Sequence, residues 1–382
     1  MRIALQNIHL LPNIFDVGIH DYMLNLLKNG YANVLYFSDH NSPIRSLKLF
    51  RRYLMNRKYS GIDWKNIEFV FTGKGLNRKA DILLNLNTMY MPNLDSEFTT
   101  ALRKFNGLKI FHVGDYFWNH PGSELNNYLV KYGADHLFGY AMHDRYCSYF
   151  QKTFPTYKNK VWGIPFGFGP RFIKKTRFEN RINKAVALGS VNPLRPLAEP
   201  VANYRETADF FPDDNWFHKF RRLLVLNKES LRDEADNMLP EFPAIKDFKY
   251  DIVEKFNMYK MFVTCESIFF FPVAKVFEGP ACGTTLIAAD HECIKEYGFR
   301  DKMNCIMYQL YNIEDFKGKV QYYQLHPEEL AQISENGMIF VRENYSHDKV
   351  SKIIMDTINL IWNKGSNAEA TPVAERLARV RQ

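Results

Sequence analysis

The strongest constraint on this chain is a regular alternation of short apolar runs and amphipathic stretches. Residues 2–8 and 33–37 are apolar runs of strand length, and residues 19–28 between them have apolar side chains at helical spacing and end close to Gly30. A strand, a helix and a second strand in this order form a βαβ unit with parallel strands. The alternation therefore predicts an α/β fold built on parallel sheets.

The alternation continues in two series separated by a turn-rich segment. Further strands are predicted at 67–71, 81–86, 108–113, 136–140 and 161–164, and then at 185–188, 261–265, 284–289 and 304–308. Between the two series lie Pro165, Gly167, Gly169 and Pro170, followed by a charged run, which is typical of a linker. A chain of 382 residues is longer than a domain with a single hydrophobic core usually is. We therefore predict two doubly wound, Rossmann-like domains with a cleft between them.

The predicted domains cover residues 1–170 and 184–346. Apolar residues at helical spacing predict a terminal helix at 347–364, which can pack back on the N-terminal domain. Residues 365–382 are rich in Ala, Arg and Glu, unlike the preceding chain, and are interpreted as an artificial or poorly ordered tail.

Composition narrows the class of protein. Hydrophobic residues at 46% and aromatic residues at 15% exclude extended disorder, and no apolar run is long enough to cross a membrane, so we predict a cytoplasmic protein. Five cysteines without CxxC spacing indicate neither a disulfide framework nor a zinc site. A net charge of +8 favours anionic partners: phosphates, nucleic acid or acidic lipid headgroups.

Residues 276–288 have the clearest functional pattern. A helix that includes Glu278 is expected to end at Gly283, the residue type that adopts a left-handed conformation at a helix end. Thr284 and Thr285 then offer N–H and hydroxyl donors for a phosphate at the start of a buried strand. Glu278 can accept two hydrogen bonds from a ribose diol, although a capping or salt-bridging role is the structural alternative.

This segment resembles the Glu-x-x-x-Cys-Gly-(Thr/Ser)-Pro-(Val/Leu)-Ile signature of GT-B glycosyltransferases, most closely the retaining group-one family and its spore-protein-like relatives. The resemblance implies a nucleotide-diphosphate sugar bound by the C-terminal domain, an acceptor on the N-terminal side, and no required cofactor or metal ion. Two positions depart from the family pattern: Phe270 stands where many members have a second Glu that contacts the sugar, and Thr285 stands where many have Pro.

Other residues are assigned to the donor by the same resemblance. Gly189, Ser190 and Arg195 match the family's first strand and turn of the C-terminal domain, where a Gly turn and a basic residue meet the diphosphate. A Gly after a buried strand lets backbone amides approach an anion, and a guanidinium binds phosphate through two hydrogen bonds. Lys275, one turn before Glu278, supplies a second positive charge for the leaving diphosphate.

The N-terminal half contains the candidate catalytic residues. Gly18 and His20 stand where the family places a Gly-rich loop at the start of the first helix. His112 and Asp115 belong to a segment that follows the strand residues 108–111 and are expected at the carboxyl end of that strand, where α/β folds bind ligands. Each of these polar residues can instead be an ordinary hydrogen-bonded loop residue. Asp213-Asp214 follows Phe-Phe-Pro and precedes Asn-Trp, as a helix-starting loop would, and the spacing of His112 and His120 matches no helical ligand pair, so neither predicts a metal site.

The resulting hypothesis is transfer of a sugar from a nucleotide-diphosphate sugar to a hydroxyl of a glycan or lipid-linked acceptor, with retention implied by the resemblance. An amphipathic stretch at 44–58 with basic residues is compatible with peripheral contact at the inner membrane face. Two alternatives stay open: a DNA-modifying glucosyltransferase, which the basic charge permits, and a noncatalytic protein that binds sugar nucleotides or glycans. Nucleic acid is the less favoured partner.

Overall fold

The computed structural model describes residues 1–6, 17–36, 62–85, 102–114, 122–189, 208–212, 251–264, 272–365 and 368–380. These residues form two compact units. The first contains the chain up to Ile164 together with Ser351–Thr371, and the second contains the other described residues. The first unit therefore ends six residues before the boundary predicted at 170.

The first unit is built on a seven-stranded parallel sheet. Its strands are β1 (Ile3–Gln6), β2 (Val34–Tyr36), β3 (Glu68–Val70), β4 (Ile82–Asn85), β5 (Leu108–Val113), β6 (His136–Gly139) and β7 (Val161–Gly163). Their order across the sheet is β3-β2-β1-β4-β5-β6-β7. The chain moves outward from β1 first on one side and then on the other, so the topological switch point lies between β1 and β4.

Helices connect the strands of this first sheet. They are α1 (Val17–Lys28), α2 (Gly73–Lys79), α3 (Gly122–Tyr132), α4 (His143–Tyr146) and α5 (Ser148–Thr153). The strands read as continuous apolar runs and are buried almost throughout, because helices cover both faces of a doubly wound sheet.

The second unit has a five-stranded parallel sheet. Its strands are β8 (Ile182–Gly189), β9 (Ala208–Pro212), β10 (Tyr259–Val263), β11 (Thr285–Ala289) and β12 (Ile306–Tyr308), in the order β12-β11-β10-β8-β9. The switch point here is at β8, which pairs with β9 on one side and β10 on the other. The fold class predicted from the sequence, α/β with two Rossmann-like units, is confirmed.

Helices also flank the strands of the second sheet. They are α6 (Ile252–Met258), α7 (Lys275–Ala281), α8 (Glu292–Lys295), α9 (Ile313–Leu325), α10 (Pro327–Asn344), α11 (His347–Lys364) and α12 (Val373–Val380). Helix α10 is eight residues longer than the helix that the sequence predicts at 327–336. The terminal helix α11 begins in the second unit, and from Ser351 onward its residues group with the first. No helix among the described residues is long and apolar enough to cross a membrane.

The C-terminal segment differs from the expected tail. Ala368, Ala370 and Val373 are buried, and helix α12 follows them. The backbone N–H of Ala370 donates to the carbonyl of Asn159 (2.9 Å), and the Arg145 guanidinium donates to the carbonyl of Ala370 (2.5 Å). Alanines and an amphipathic pattern suit a short helix packed on a folded surface, so an unusual composition did not imply disorder here.

A turn at the start of the second unit fixes the chain next to helix α11. Gly167 has a φ of +66°, and a Cβ there would lie 2.5 Å from the carbonyl oxygen of Tyr345. The following Phe168 donates its N–H to that carbonyl (3.0 Å), and the N–H of His347 donates to the carbonyl of Phe168 (3.0 Å). Only glycine fits because both the conformation and the close approach exclude a side chain.

We expect Gly167→Ala to lower the free energy of unfolding by about 2 to 4 kcal/mol, because it combines left-handed strain with a backbone clash. The matched control is Gly318→Ala in α9, where a Cβ meets no atom within 4 Å. That change should stabilise by about 0.5 to 1 kcal/mol through helix propensity. Urea denaturation of both variants gives the two values; equal effects would show that the Gly167 turn is not constrained.

Candidate functional site

Helix α7 ends in a Schellman turn that leads directly into β11. The N–H of Gly283 donates to the carbonyl of Pro280 (2.7 Å), and the N–H of Thr284 donates to the carbonyl of Gly279 (3.2 Å). Gly283 itself has a φ of +72°. This is the hydrogen-bond pattern of a helix closed by a left-handed glycine, so the helix end predicted at Gly283 is confirmed.

The inner face of α7 packs tightly on the sheet. Val276 and Phe277 are fully buried, and the Phe277 ring meets the Tyr345 ring edge to face at 5.0 Å. A Cβ on Gly279 would lie 3.0 Å from the Phe262 ring of β10, so this glycine allows the helix to approach the sheet closely. The packed face leaves Glu278 on a side of the helix that is only half-buried.

Arg181, the residue immediately before β8, binds the end of α7 from inside the protein. Its guanidinium donates to the carbonyls of Gly283 (2.6 Å) and Cys282 (2.8 Å). It also donates to the carbonyls of Phe256 at the end of α6 (3.2 Å) and Thr176 (3.0 Å). The side chain is 4% exposed, and among the described residues no carboxylate lies within ion-pairing distance. Burial lowers its pKa to about 10, so it stays charged at neutral pH.

Two further donors complete the contacts at this helix end. Arg342 of α10 donates to the carbonyl of Ala281 (2.7 Å), and the hydroxyl of Ser334 donates to the carbonyl of Gly283 (2.9 Å). The last carbonyls of a helix have no partner within the helix and bear partial negative charge. Positive side chains and a hydroxyl therefore satisfy three consecutive carbonyls, Ala281, Cys282 and Gly283, that would otherwise be buried without donors.

The carboxylate of Glu278 is different because it has no such partner. Among the described residues, neither a hydrogen-bond donor nor a cation lies within bonding distance of it. Burial raises its pKa, and the charges of Lys275, Arg171 and His347 act in the opposite direction. A half-buried carboxylate in cationic surroundings, with its acceptor positions open, is suited to binding hydroxyl donors of a ligand.

The three basic residues near Glu278 come from separate parts of the chain. Lys275 is the first residue of α7, and His347 begins α11. The exposed Arg171 lies with its guanidinium 4.8 Å from the centre of the Phe172 ring. A Cβ on Gly169 would be 3.4 Å from the His347 ring, so the turn that contains Gly167 and Gly169 lies against this histidine. Sequence reasoning identified Lys275 and missed Arg171 and His347.

Thr284 and Thr285 have a structural role, because they form the buried connection between α7 and β11. Both are buried at the amino end of β11, whereas ligands of parallel sheets bind at the carboxyl ends of the strands. The hydroxyl and N–H of Thr284 donate to the carbonyls of Phe256 and Gly279, so neither donor of Thr284 is available to a phosphate. The expected phosphate contacts at Gly283, Thr284 and Thr285 therefore lack support, because the turn lies at the opposite edge of the sheet.

Of the residues predicted to contact the donor diphosphate at the end of β8, only Gly189 is among the described residues. Gly189 ends β8, at the carboxyl edge and the switch point of the second sheet, as predicted. Ser190 and Arg195 lie outside the described residues, as does Phe270. Among the described residues, no cluster of three metal-ligating side chains occurs.

In the first unit, polar residues gather at the carboxyl edge of the sheet. Gln6, Asn85 and His112 end or nearly end the adjacent strands β1, β4 and β5, and the Asn85 amide donates to the Gln6 side chain (3.2 Å). Sequence reasoning had identified only His112 of these, because single polar residues within apolar strands have no local pattern. Gly18 and His20 belong to the first turn of α1, whose side chains are not described, and Asp115 lies outside the described residues.

His112 lies deep in this edge. It is 3% exposed, and its ring meets the Tyr140 ring edge to face at 4.7 Å. Burial lowers its pKa to about 3. His143 is also buried, and burial together with the charge of His112 lowers its pKa to about 3. Both imidazoles are therefore neutral at pH 7, able to accept or donate a hydrogen bond but without charge to bind an anion.

Comparisons with known proteins concern one segment of the second unit and the fold of the chain. Residues 247–356, which include α7 and its turn, match the family model described as glycosyl transferase-like. Sequence comparison with curated proteins gives no match. Among solved structures, HepE of Anabaena in complex with UDP and glucose is similar at 12% identity and a TM-score of 0.55, with 94% of this chain and 99% of that chain covered.

Two further solved structures are similar over nearly their full length. A glycosyltransferase from Rickettsia africae has 12% identity and a TM-score of 0.56, with 95% of this chain and 99% of that chain covered. Sucrose-phosphate synthase from Thermosynechococcus elongatus has 10% identity and a TM-score of 0.54, with 95% and 100% covered. At these identities the likeness establishes a shared fold, the two-unit GT-B arrangement predicted from the sequence.

We expect stability to fall on acidification below about pH 6.5, because buried His112, His143 and His136 stay neutral down to pKa values of about 3, 3 and 4. The unfolded chain binds these protons at a higher pH than the folded protein does. Between the two pKa values, each buried histidine therefore lowers the free energy of unfolding by about 1.4 kcal/mol per pH unit of acidification. Asp144 opposes the trend between about pH 4 and 6, because burial raises its pKa to about 6 and the folded state binds its proton first.

Melting temperatures measured from pH 7.5 to 4.5 test this prediction. Asp144→Asn should steepen the acid loss by removing the opposing group, while the amide oxygen can still accept the N–H of Asn159 (2.6 Å in the wild type). A melting temperature that does not change between pH 7 and 5 would contradict the assignment of neutral buried histidines.

Proposed function

We propose that this chain, a glycosyltransferase of the GT-B fold, transfers a sugar from a UDP-type nucleoside diphosphate donor to a hydroxyl of a glycan or lipid-linked acceptor. The observation that carries the proposal is Glu278, a half-buried carboxylate without a bonded partner among the described residues. It lies in the matched segment, on a helix fixed at its far end.

Glu278 would accept hydrogen bonds from the ribose 2′ and 3′ hydroxyls. A carboxylate has two oxygens in one plane, which matches the two adjacent hydroxyls of a ribose. Hydrogen bonds to a charged acceptor are stronger than neutral ones, and a half-buried site strengthens them further. Because protonation removes this acceptor, nucleotide affinity should decrease as the pH falls through the raised pKa of Glu278.

The diphosphate would lie among positive charges at the carboxyl edge of the second sheet. Lys275 is at the start of α7, where the helix dipole also favours an anion, and Gly189 ends β8 at the same edge. Arg195 would bind the phosphates as the family resemblance implies, and Arg171 is an exposed guanidinium whose charge acts on Glu278. Stabilising the departing diphosphate is the main electrostatic task in this transfer, and no metal ion is needed if these cations perform it.

The acceptor would be bound by the first unit. Gly18 and His20 begin α1, and His112 lies at the carboxyl end of β5. As a buried neutral imidazole, His112 is suited to orienting a hydroxyl through a hydrogen bond, and Asp115 is proposed as the base or orienting group that follows it. Retention of configuration at the sugar carbon is proposed from the family resemblance.

A basic surface favours an acceptor at a membrane. The net charge of +8 attracts anionic headgroups, so we place the enzyme peripherally at the inner membrane face, where lipid-linked acceptors are found. Cosedimentation with vesicles containing anionic lipid, compared with neutral vesicles, tests this placement. Salt-sensitive binding to duplex DNA without vesicle binding would instead favour the DNA-modifying alternative.

We expect Glu278→Ala to weaken UDP binding at least tenfold, because each hydrogen bond to a charged acceptor contributes about 1.5 to 3 kcal/mol. Isothermal titration calorimetry of the wild type and the variant measures the change. The matched control is Glu329→Gln, an exposed carboxylate of α10 that contacts the Tyr322 hydroxyl (3.2 Å) and should leave UDP affinity unchanged. Equal UDP affinity in the wild type and Glu278→Ala would remove the ribose assignment.

We expect the protein to release free sugar slowly from one nucleotide sugar in the absence of an acceptor, because an activated anomeric carbon in a transferase site also reacts with water. A thermal-shift panel of nucleoside diphosphates and their sugars selects the donor, since a ligand that binds the native state raises the melting temperature. Stabilisation by a donor without any hydrolysis or transfer would favour the noncatalytic binding protein.

A further inference from the structure

We propose that Arg181 is a positioning residue for nucleotide binding, which fixes the orientation of Glu278 by anchoring the far end of α7. The inference rests on the proposed function, since it concerns the carboxylate assigned to the ribose. Arg181 lies at the amino edge of the sheet, and Glu278 faces the cations of the proposed ligand site. The connection between them runs through the α7 backbone.

Helix α7 cannot fix its own position. It has seven residues, and its interior includes Gly279 and Pro280. Helices of this length are unstable alone, glycine is among the poorest helix formers, and proline lacks the N–H for an intrahelical bond. The position of the helix therefore depends on contacts with its neighbours.

Arg181 supplies such contacts from a position next to an interior strand of the sheet. It immediately precedes β8, a strand that pairs with β9 on one side and β10 on the other. Its guanidinium joins three segments that are separate in the sequence: the carbonyl of Thr176, the carbonyl of Phe256 and the turn at Cys282 and Gly283. A single side chain thus transfers the position of the sheet to the end of α7.

The chemistry of this site requires arginine. The carbonyls that it contacts lie in different directions, and the planar guanidinium has five N–H donors in a fixed geometry. Its positive charge lies at the negative end of the α7 dipole. The partial negative charge of that helix end takes the place of a carboxylate partner. Lysine has a compact ammonium group and a shorter reach, so it cannot satisfy the same set of acceptors.

A displacement of the turn would reach Glu278 directly. Gly283 is five positions after Glu278, which is about 7.5 Å along a helix at 1.5 Å per residue. Hydrogen bonds weaken steeply when their angles deviate from linear, so a small rotation of α7 would disturb both bonds to the ribose. The expected defect is therefore weaker nucleotide binding that depends on the ribose hydroxyls.

The test uses calorimetric titration with UDP and 2′-deoxy-UDP on the full-length protein. We expect Arg181→Lys to raise the dissociation constant of UDP about tenfold and that of 2′-deoxy-UDP much less, because the deoxy ligand makes fewer bonds to Glu278. Ser334→Ala, which removes one donor to the Gly283 carbonyl, should change UDP affinity in the same direction by about two- to threefold. Neither change should weaken binding further in a Glu278→Ala background.

The matched control is Arg145→Lys in the first unit, where the guanidinium also donates to a backbone carbonyl, that of Ala370 (2.5 Å). It should lower the melting temperature and leave UDP affinity unchanged. Undiminished UDP affinity in Arg181→Lys, or losses that add to those of Glu278→Ala, would overturn the inference. If Arg181→Lys does not fold, Ser334→Ala decides by the same criterion. Unchanged affinity in Glu278→Ala alone, or no binding of UDP by the wild type, identifies failure of the proposed function instead.

Discussion

The structure of the second unit depends on the hydrogen bonds that the carbonyls at the end of α7 accept from side chains. Three consecutive carbonyls at that end are buried, and a buried carbonyl without a donor is costly. Arg181, next to β8, and Arg342 and Ser334, both in α10, provide the donors, which ties β8 and α10 to the α7 turn. The same contacts explain why a short helix with an internal proline keeps a defined position, and therefore why a carboxylate on it can serve as a ligand contact.

Much of the fold was predictable from local pattern. Buried parallel strands are apolar on both faces, so β5 was predicted at its observed bounds and most other strands within one to three residues. Strand β9 (Ala208–Pro212) was missed because its five residues include a charged side chain and end in proline. Helix α9 was missed because polar residues occupy most of its length, and its packing on the sheet is a tertiary effect.

The candidate site was predictable in part, for the same physical reason. Glu278 and Gly283 stand in one continuous segment, where helix periodicity and the residue type at the helix end can be read directly. Arg171 and His347 reach the surroundings of Glu278 only because the chain returns to α7 after more than sixty residues, and no local pattern encodes that return. Arg181 was likewise read as part of a charged linker, although it is among the most deeply buried cations of the described chain.

Only signature residues near the carboxyl edge of the sheet are placed to contact a ligand, because parallel sheets bind ligands at that edge. A helix between two parallel strands begins near the carboxyl edge and ends near the amino edge, so Lys275 and Thr285 lie at opposite ends of the same short segment. Thr285, which stands where the resembled signature has proline, is therefore a buried position at the strand start. Its hydroxyl is buried there without a partner, which proline would not require. We therefore expect this departure from the signature to bear on stability, since the proposed donor contacts do not involve Thr285.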